Sequence, residues 1–166
     1  CIYICDELIR IVNETDSLIS DGEYTLAFSI DLLVLTSCAK LASTGDSSSG
    51  CLNDAVYYTN GAIAKICSSV LPGREAAQFI YLSSLKESRN KAYDGWSEFV
   101  YDLLKCTATL ATAENVGKLY TLLDEMRDEQ SEHPYSTYYD LDCQVRYEAI
   151  KVTEGTETAT AFVNDH

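Results

Sequence analysis

Trp96-Ser97-Glu98-Phe99-Val100-Tyr101-Asp102-Leu103-Leu104-Lys105-Cys106-Thr107 is the stretch that decides the fold class. Trp96, Phe99, Val100, Leu103, Leu104 and Thr107 recur at spacings of three and four, which places them on one face of a helix. The stripe predicts a helix over residues 90–110, with Trp96, Phe99 and Leu103 in the central core. Moving outward, the same period recurs on both sides and no segment alternates over a strand length. Ala27, Ile30, Val34, Cys38 and Leu41 form a stripe within 23–43, wide enough to be packed on more than one side. Further helices are predicted over 1–20, 51–70, 74–86, from Thr112 to His133-Pro134, over 136–153, and after Glu154-Gly155.

Tight turns at Asp21-Gly22, Pro72-Gly73, Thr112 and Glu154-Gly155 join these segments in pairs, first with second, third with fourth, fifth with sixth and seventh with eighth. A unit of about 40 residues built this way is the pattern of stacked helical hairpins. The expected fold is therefore all-α, with seven to eight helices stacked as antiparallel hairpins into a tetratricopeptide-like superhelix. The alternative is a single irregular eight-helix bundle. Residues 1–166 read as one helical-repeat domain, and the missing initial Met together with a helical pattern running into His166 suggests a fragment of a longer chain.

Hydrophobic residues make up 46% of the chain, enough to exclude a disordered polymer. Against 12 Lys and Arg stand 26 Asp and Glu, a formal charge of -14 that repels phosphate backbones and anionic membranes. Neither nucleic acid nor membrane is expected as a partner. The longest apolar run, near Leu32 to Leu35, is flanked by Asp31 and Thr36, far short of a membrane span. Seven cysteines, an odd number without a C-x-x-C spacing, give neither a disulfide framework nor a zinc site. Cys38, Cys67, Cys106 and Cys143 fall at apolar helical positions, and a reducing cytoplasm is the expected location.

Candidate chemistry is sparse. A Ser or Cys nucleophile needs a base within reach, and only His133 and His166 are offered. His133 beside Pro134 reads as a helix C-terminal cation. Asp124, Glu125, Asp128 and Glu129 with His133 read as a charged face, since matching ligands on a second helix are missing. The loop around Asp46 reads mainly as a cap for the third helix, with cation or partner binding as its functional alternative. Twelve tyrosines include Tyr57-Tyr58, Tyr135, Tyr138, Tyr139 and Tyr147, and an exposed tyrosine cluster suits a protein-binding surface. Asp46, Tyr135, Tyr138 and Tyr139 are the residues singled out for partner binding; no catalytic, metal or cofactor residue is assigned.

Gly22-Glu23-Tyr24-Thr25-Leu26-Ala27 resembles the helix junction of a degenerate tetratricopeptide unit, and Glu154-Gly155-Thr156-Glu157-Thr158-Ala159 echoes it. Over residues 20–165 the chain also resembles the uncharacterised helical region found beside SWIM-type zinc fingers in bacterial proteins. The likeness rests on the Gly22 to Phe28 turn, the Asp46-Ser47-Ser48-Ser49-Gly50 loop, the aromatic helix from Tyr93 to Leu104 and the leucine-rich one from Leu119 to Met126. These resemblances imply a helical-repeat fold and a scaffold role. The expected function is thus a non-catalytic protein-interaction scaffold without cofactor, binding a protein or peptide with a preference for basic partners. The alternative is an accessory or regulatory domain of a larger zinc-finger protein or enzyme.

Overall fold

The computed structural model describes residues 2–44, 50–130 and 138–165. Among these residues the chain is all-α, with eight α-helices, one short 3-10 turn and no strand. In chain order they are α1 (Ile2–Ser20), α2 (Tyr24–Thr44), α3 (Cys51–Ser69), α4 (Glu75–Glu87), the 3-10 turn Lys91–Tyr93, α5 (Ser97–Ala108), α6 (Val116–Gln130), α7 (Tyr138–Thr153) and α8 (Thr156–Asp165).

The tight turn read from Asp21-Gly22 is a Schellman cap. Gly22 sits at φ 81, its N–H donates to the Ile19 carbonyl at 3.1 Å, and the Glu23 N–H donates to the Leu18 carbonyl at 2.8 Å. At the start of the sixth helical segment, the Asn115 side chain accepts from the Thr112 N–H at 2.8 Å, and Val116 N–H donates to the Thr112 carbonyl at 2.9 Å. That is half of a capping box, and it fixes where α6 begins.

Packing follows buried faces more than loop length. The odd helices contact one another in chain order, α1 on α3, α3 on α5 and α5 on α7, and α2 contacts α4, which contacts α6. The two rows are joined by α1 with α2, α2 with α3, α4 with α5, α6 with α7 and α7 with α8. The third helix does not pack closely on the fourth, nor the fifth on the sixth, which corrects the pairing expected from the turns. Val70 (φ -104, ψ 149) and Arg74 (φ -79, ψ 156) are extended on either side of Leu71-Pro72-Gly73, so α4 leaves α3 and covers α5.

Two other expectations change. The helix predicted over 90–110 is broken, because Asn90 caps the 3-10 turn by accepting from the Ala92 N–H and Gly95 adopts φ 83. Only from Ser97 does the α-helix run. Trp96 is consequently its N-cap rather than a central anchor: it is half-buried, stacks on Phe99 at 5.6 Å and donates from Nε1 to Ser43 Oγ at 3.2 Å. Phe99 and Leu103 are buried as expected. The large aromatic anchors of the core are Tyr81, Tyr101 and Phe28, set among Leu35, Ile63, Ile66, Ile80, Leu103 and Leu104.

Polar groups inside the fold are tied across helices. Ser84 and Thr107 hydroxyls meet at 2.9 Å between α4 and α5. Thr36 of α2 lies 2.9 Å from Glu87 and 3.0 Å from the Tyr93 hydroxyl, which joins α2, α4 and the 3-10 turn. Arg146 of α7, largely buried, donates to Asp142 and to Asp124 of α6, each at 2.7 Å, and lies over the Tyr120 ring at 5.6 Å.

Asp31 is the exception, a fully buried carboxyl whose side-chain hydrogen-bond partner among the described residues is Thr15, 3.1 Å away across the α1–α2 contact. Thr15 Oγ1 is also 2.7 Å from the Val12 carbonyl, and a single hydroxyl proton cannot serve both acceptors. A protonated Asp31 resolves the conflict by donating to Thr15 while Thr15 donates to Val12. In keeping with this, burial raises the Asp31 carboxyl to about 7 against its ordinary 3.8, with Thr15 opposing and Asp16 adding to the rise.

α2 is the one helix among the described residues that is long and apolar enough, by length and composition, to cross a membrane, with a window hydropathy of 1.6. The short run read from the sequence stops at Asp31 and Thr36, whereas the helix as a whole passes that test, and in the fold it is packed against α1, α3, α4 and the 3-10 turn.

Two measurements test this account. Leu103→Ala should cost about 3 kcal/mol in chemical denaturation, and Trp96→Ala clearly less, because only the first empties a fully enclosed site; equal losses would restore Trp96 to the core. Since the folded-state pKa of Asp31 is raised, stability is lost as pH rises from about 4 to about 7. Asp31→Asn should therefore gain more stability at pH 8 than at pH 5, by about 2 kcal/mol.

Candidate functional site

The groove with the most varied chemistry lies between α7 and α8, closed at one side by Lys105 of α5, and encloses about 640 Å³. That volume is within the range of sites that take small ligands or anchoring side chains. Its α7 wall is a stripe of Tyr139, Cys143 and Tyr147, which helical geometry aligns at every fourth residue. Its α8 wall is Thr160, Phe162, Val163 and Asn164. α8 reaches this position because Gly155, at φ 101, turns the chain directly out of α7, with Gly155 N–H donating to the Ile150 carbonyl at 3.2 Å.

Polar groups rim the apolar floor. Asp140 and Glu148 supply carboxylates, and Lys105 is the cation, donating to Gln144 at 2.6 Å. Lys151 lies over the Tyr147 ring at 5.7 Å and 3.7 Å from Glu148. The Tyr139 phenol is held above its ordinary pKa, first by desolvation and then by the Cys143 thiol beside it. Val163 and Tyr139 are 53% and 48% exposed, so the apolar walls face solvent and can be covered.

The four residues singled out from sequence do not come together here. Tyr139 lines the groove. Tyr138, its neighbour in sequence, points to α5 instead: it stacks on Tyr101 at 5.8 Å, with its hydroxyl 3.5 Å from Glu98. Asp46 and Tyr135 lie outside the described residues, as do His133 and His166. Of the acidic face on α6, Asp124 pairs with Arg127 and Arg146, and Glu125 with Arg89. Among the described residues no three His, Cys, Asp or Glu side chains gather as a metal site.

Sequence reasoning passed over Cys143, Phe162, Val163 and Lys105 as groove residues. The four-residue spacing of Tyr139, Cys143 and Tyr147 was available as a signal; the approach of α8 to α7, which makes the second wall, was not. A second groove of about 590 Å³, between Thr25, Leu26 and Ser29 of α2 and Glu75, Ala76 and Phe79 of α4, carries a single ionisable group, Glu75. The chain matches no protein-family model, no curated protein and no solved structure.

If the α8 wall is surface rather than core, Val163→Ser should change the unfolding free energy by no more than about 0.5 kcal/mol. A loss of several times that would place Val163 in a packed interface of the folded chain.

Proposed function

We propose that the chain is a non-catalytic helical scaffold and that the α7–α8 groove takes one face of a basic amphipathic peptide helix. The observation that carries this reading is the pairing of a solvent-facing apolar surface, with Tyr139 and Val163 exposed and Tyr147 and Phe162 half-buried, with the Asp140 and Glu148 carboxylates at a rim that also carries Lys105. A peptide helix offers apolar residues three and four apart, which suit the floor, and lysines or arginines beside them suit the carboxylates. Tyrosines serve such contacts well because they cover large area while losing little side-chain freedom. The formal charge of -14 favours cationic partners at longer range and speeds their encounter.

Fluorescence anisotropy with a labelled Leu/Lys amphipathic helix tests the proposal, using its Leu/Glu counterpart as control. The Leu/Lys peptide should bind, weaken as salt is raised, and lose about tenfold in affinity with Val163→Ser. Equal binding of the acidic peptide, or affinity indifferent to Val163→Ser, would overturn the assignment.

A further inference from the structure

Three helices bring thiols toward the same end of the α1–α2–α3 unit: Cys5 on α1, Cys38 on α2 and Cys51 at the first position of α3. The Cys5 and Cys51 sulfurs are 2.9 Å apart. Non-bonded carbon atoms rest at about 3.5–4.0 Å, and a disulfide spans about 2.0 Å. The two thiols thus sit closer than ordinary contact and within about 1 Å of a covalent bond. Their helices are held in register further along, where Lys65 of α3 pairs with Asp16 of α1 at 2.7 Å. Cys5 opposite Cys51 and Asp16 opposite Lys65 means that α1 and α3 run in the same direction, side by side.

We infer that Cys5 and Cys51 are a disulfide-forming pair that reversibly fastens α1 to α3. The oxidant is a disulfide of the glutathione class, RSSR. Exposure sets the order of events, since Cys51 is half-buried and Cys5 is fully buried. The Cys51 thiolate attacks one sulfur of RSSR; the Cys51–SR bond forms, the RS–SR bond breaks, and the departing thiolate takes up the proton that Cys51 gave to solvent. Cys5 then gives up its proton and attacks the Cys51 sulfur; the Cys5–Cys51 bond forms, the Cys51–SR bond breaks, and a second RSH leaves. Two protein thiols are oxidised and one RSSR is reduced to two RSH.

Burial, with the hydrogen bond to Cys51 next, pushes the Cys5 thiol up to about 11. The second step is therefore the slow one and accelerates with pH. Cys38 is fully buried, away from the oxidant, while Cys5 already meets Cys51 at 2.9 Å, so Cys38 stays a thiol while the pair closes. The bond joins residues 5 and 51 of the chain and constrains the unfolded state over that whole loop.

The test uses the whole reduced chain incubated with oxidised glutathione at pH 8.5. The expected results are loss of two thiols per chain, a tryptic product linking residues 1–10 to 41–65 with fragmentation assigning the bond to Cys5, and a Tm raised by about 10 °C that dithiothreitol reverses. Cys51→Ser should abolish the shift and Cys38→Ser should leave it intact. Cys5→Ser serves as the complementary variant, and its product should be glutathione held on Cys51. A bond from Cys51 to Cys1, a bond from Cys5 to Cys38, or a persistent mixed disulfide on Cys51 in the unaltered chain would each overturn the inference.

Discussion

The fold depends on the need to bury α2 from several sides at once. Ala27, Phe28, Val34, Leu35, Cys38 and Ala39 are all withdrawn from solvent, and no single neighbour could cover so wide an arc. α1 and α3 take most of it, α4 and the 3-10 turn the remainder. Once three helices are committed to α2, the outer face of α3 must be covered by the next odd helix, α5, and so on to α7. The succession of rows is thus propagated by unfinished burial, each helix leaving a face that the one after next completes.

Polar groups within this apolar frame fix which helices meet and at what height. The Ser84–Thr107 contact sets α4 against α5, the Thr36–Glu87–Tyr93 group sets the 3-10 turn against α2, and Arg146 joins α6 to α7 through Asp124 while satisfying Asp142. A hydroxyl pair or a carboxylate with hydrogen-bond partners costs little to bury, and a displaced one costs a great deal, so such groups reject alternative registers that purely apolar contacts would tolerate. Asp31 departs from this rule. Its hydrogen-bond partner among the described residues is a hydroxyl already engaged with Val12, and burial holds the carboxyl well above its ordinary pKa.

The two ends of the molecule differ in kind. Around α1 and α3 the neighbouring elements bring thiols and an ion pair into contact, so chemistry there concerns how the helices are fastened. Around α7 and α8 the last pair leaves Tyr139 and Val163 facing solvent, with the Asp140 and Glu148 carboxylates beside them.

Periodicity alone determined the helices, because a 3.6-residue apolar stripe admits one local structure, and Gly22 and Gly155 marked turns that only glycine accommodates cheaply. The break at Gly95 was visible in the same way, yet the strong stripe from Trp96 onward masked it, and Trp96 was placed one layer too deep. The tyrosine cluster also singled out Tyr139, while its neighbour Tyr138 was assigned to the same surface although adjacent helical residues point about 100° apart. Which helix covers which face, the meeting of Cys5 with Cys51 across two helices, and the α8 wall of the groove were decided only by tertiary structure. Local pattern specifies a face that must be buried; only the competition among all such faces in the folded chain specifies what buries it.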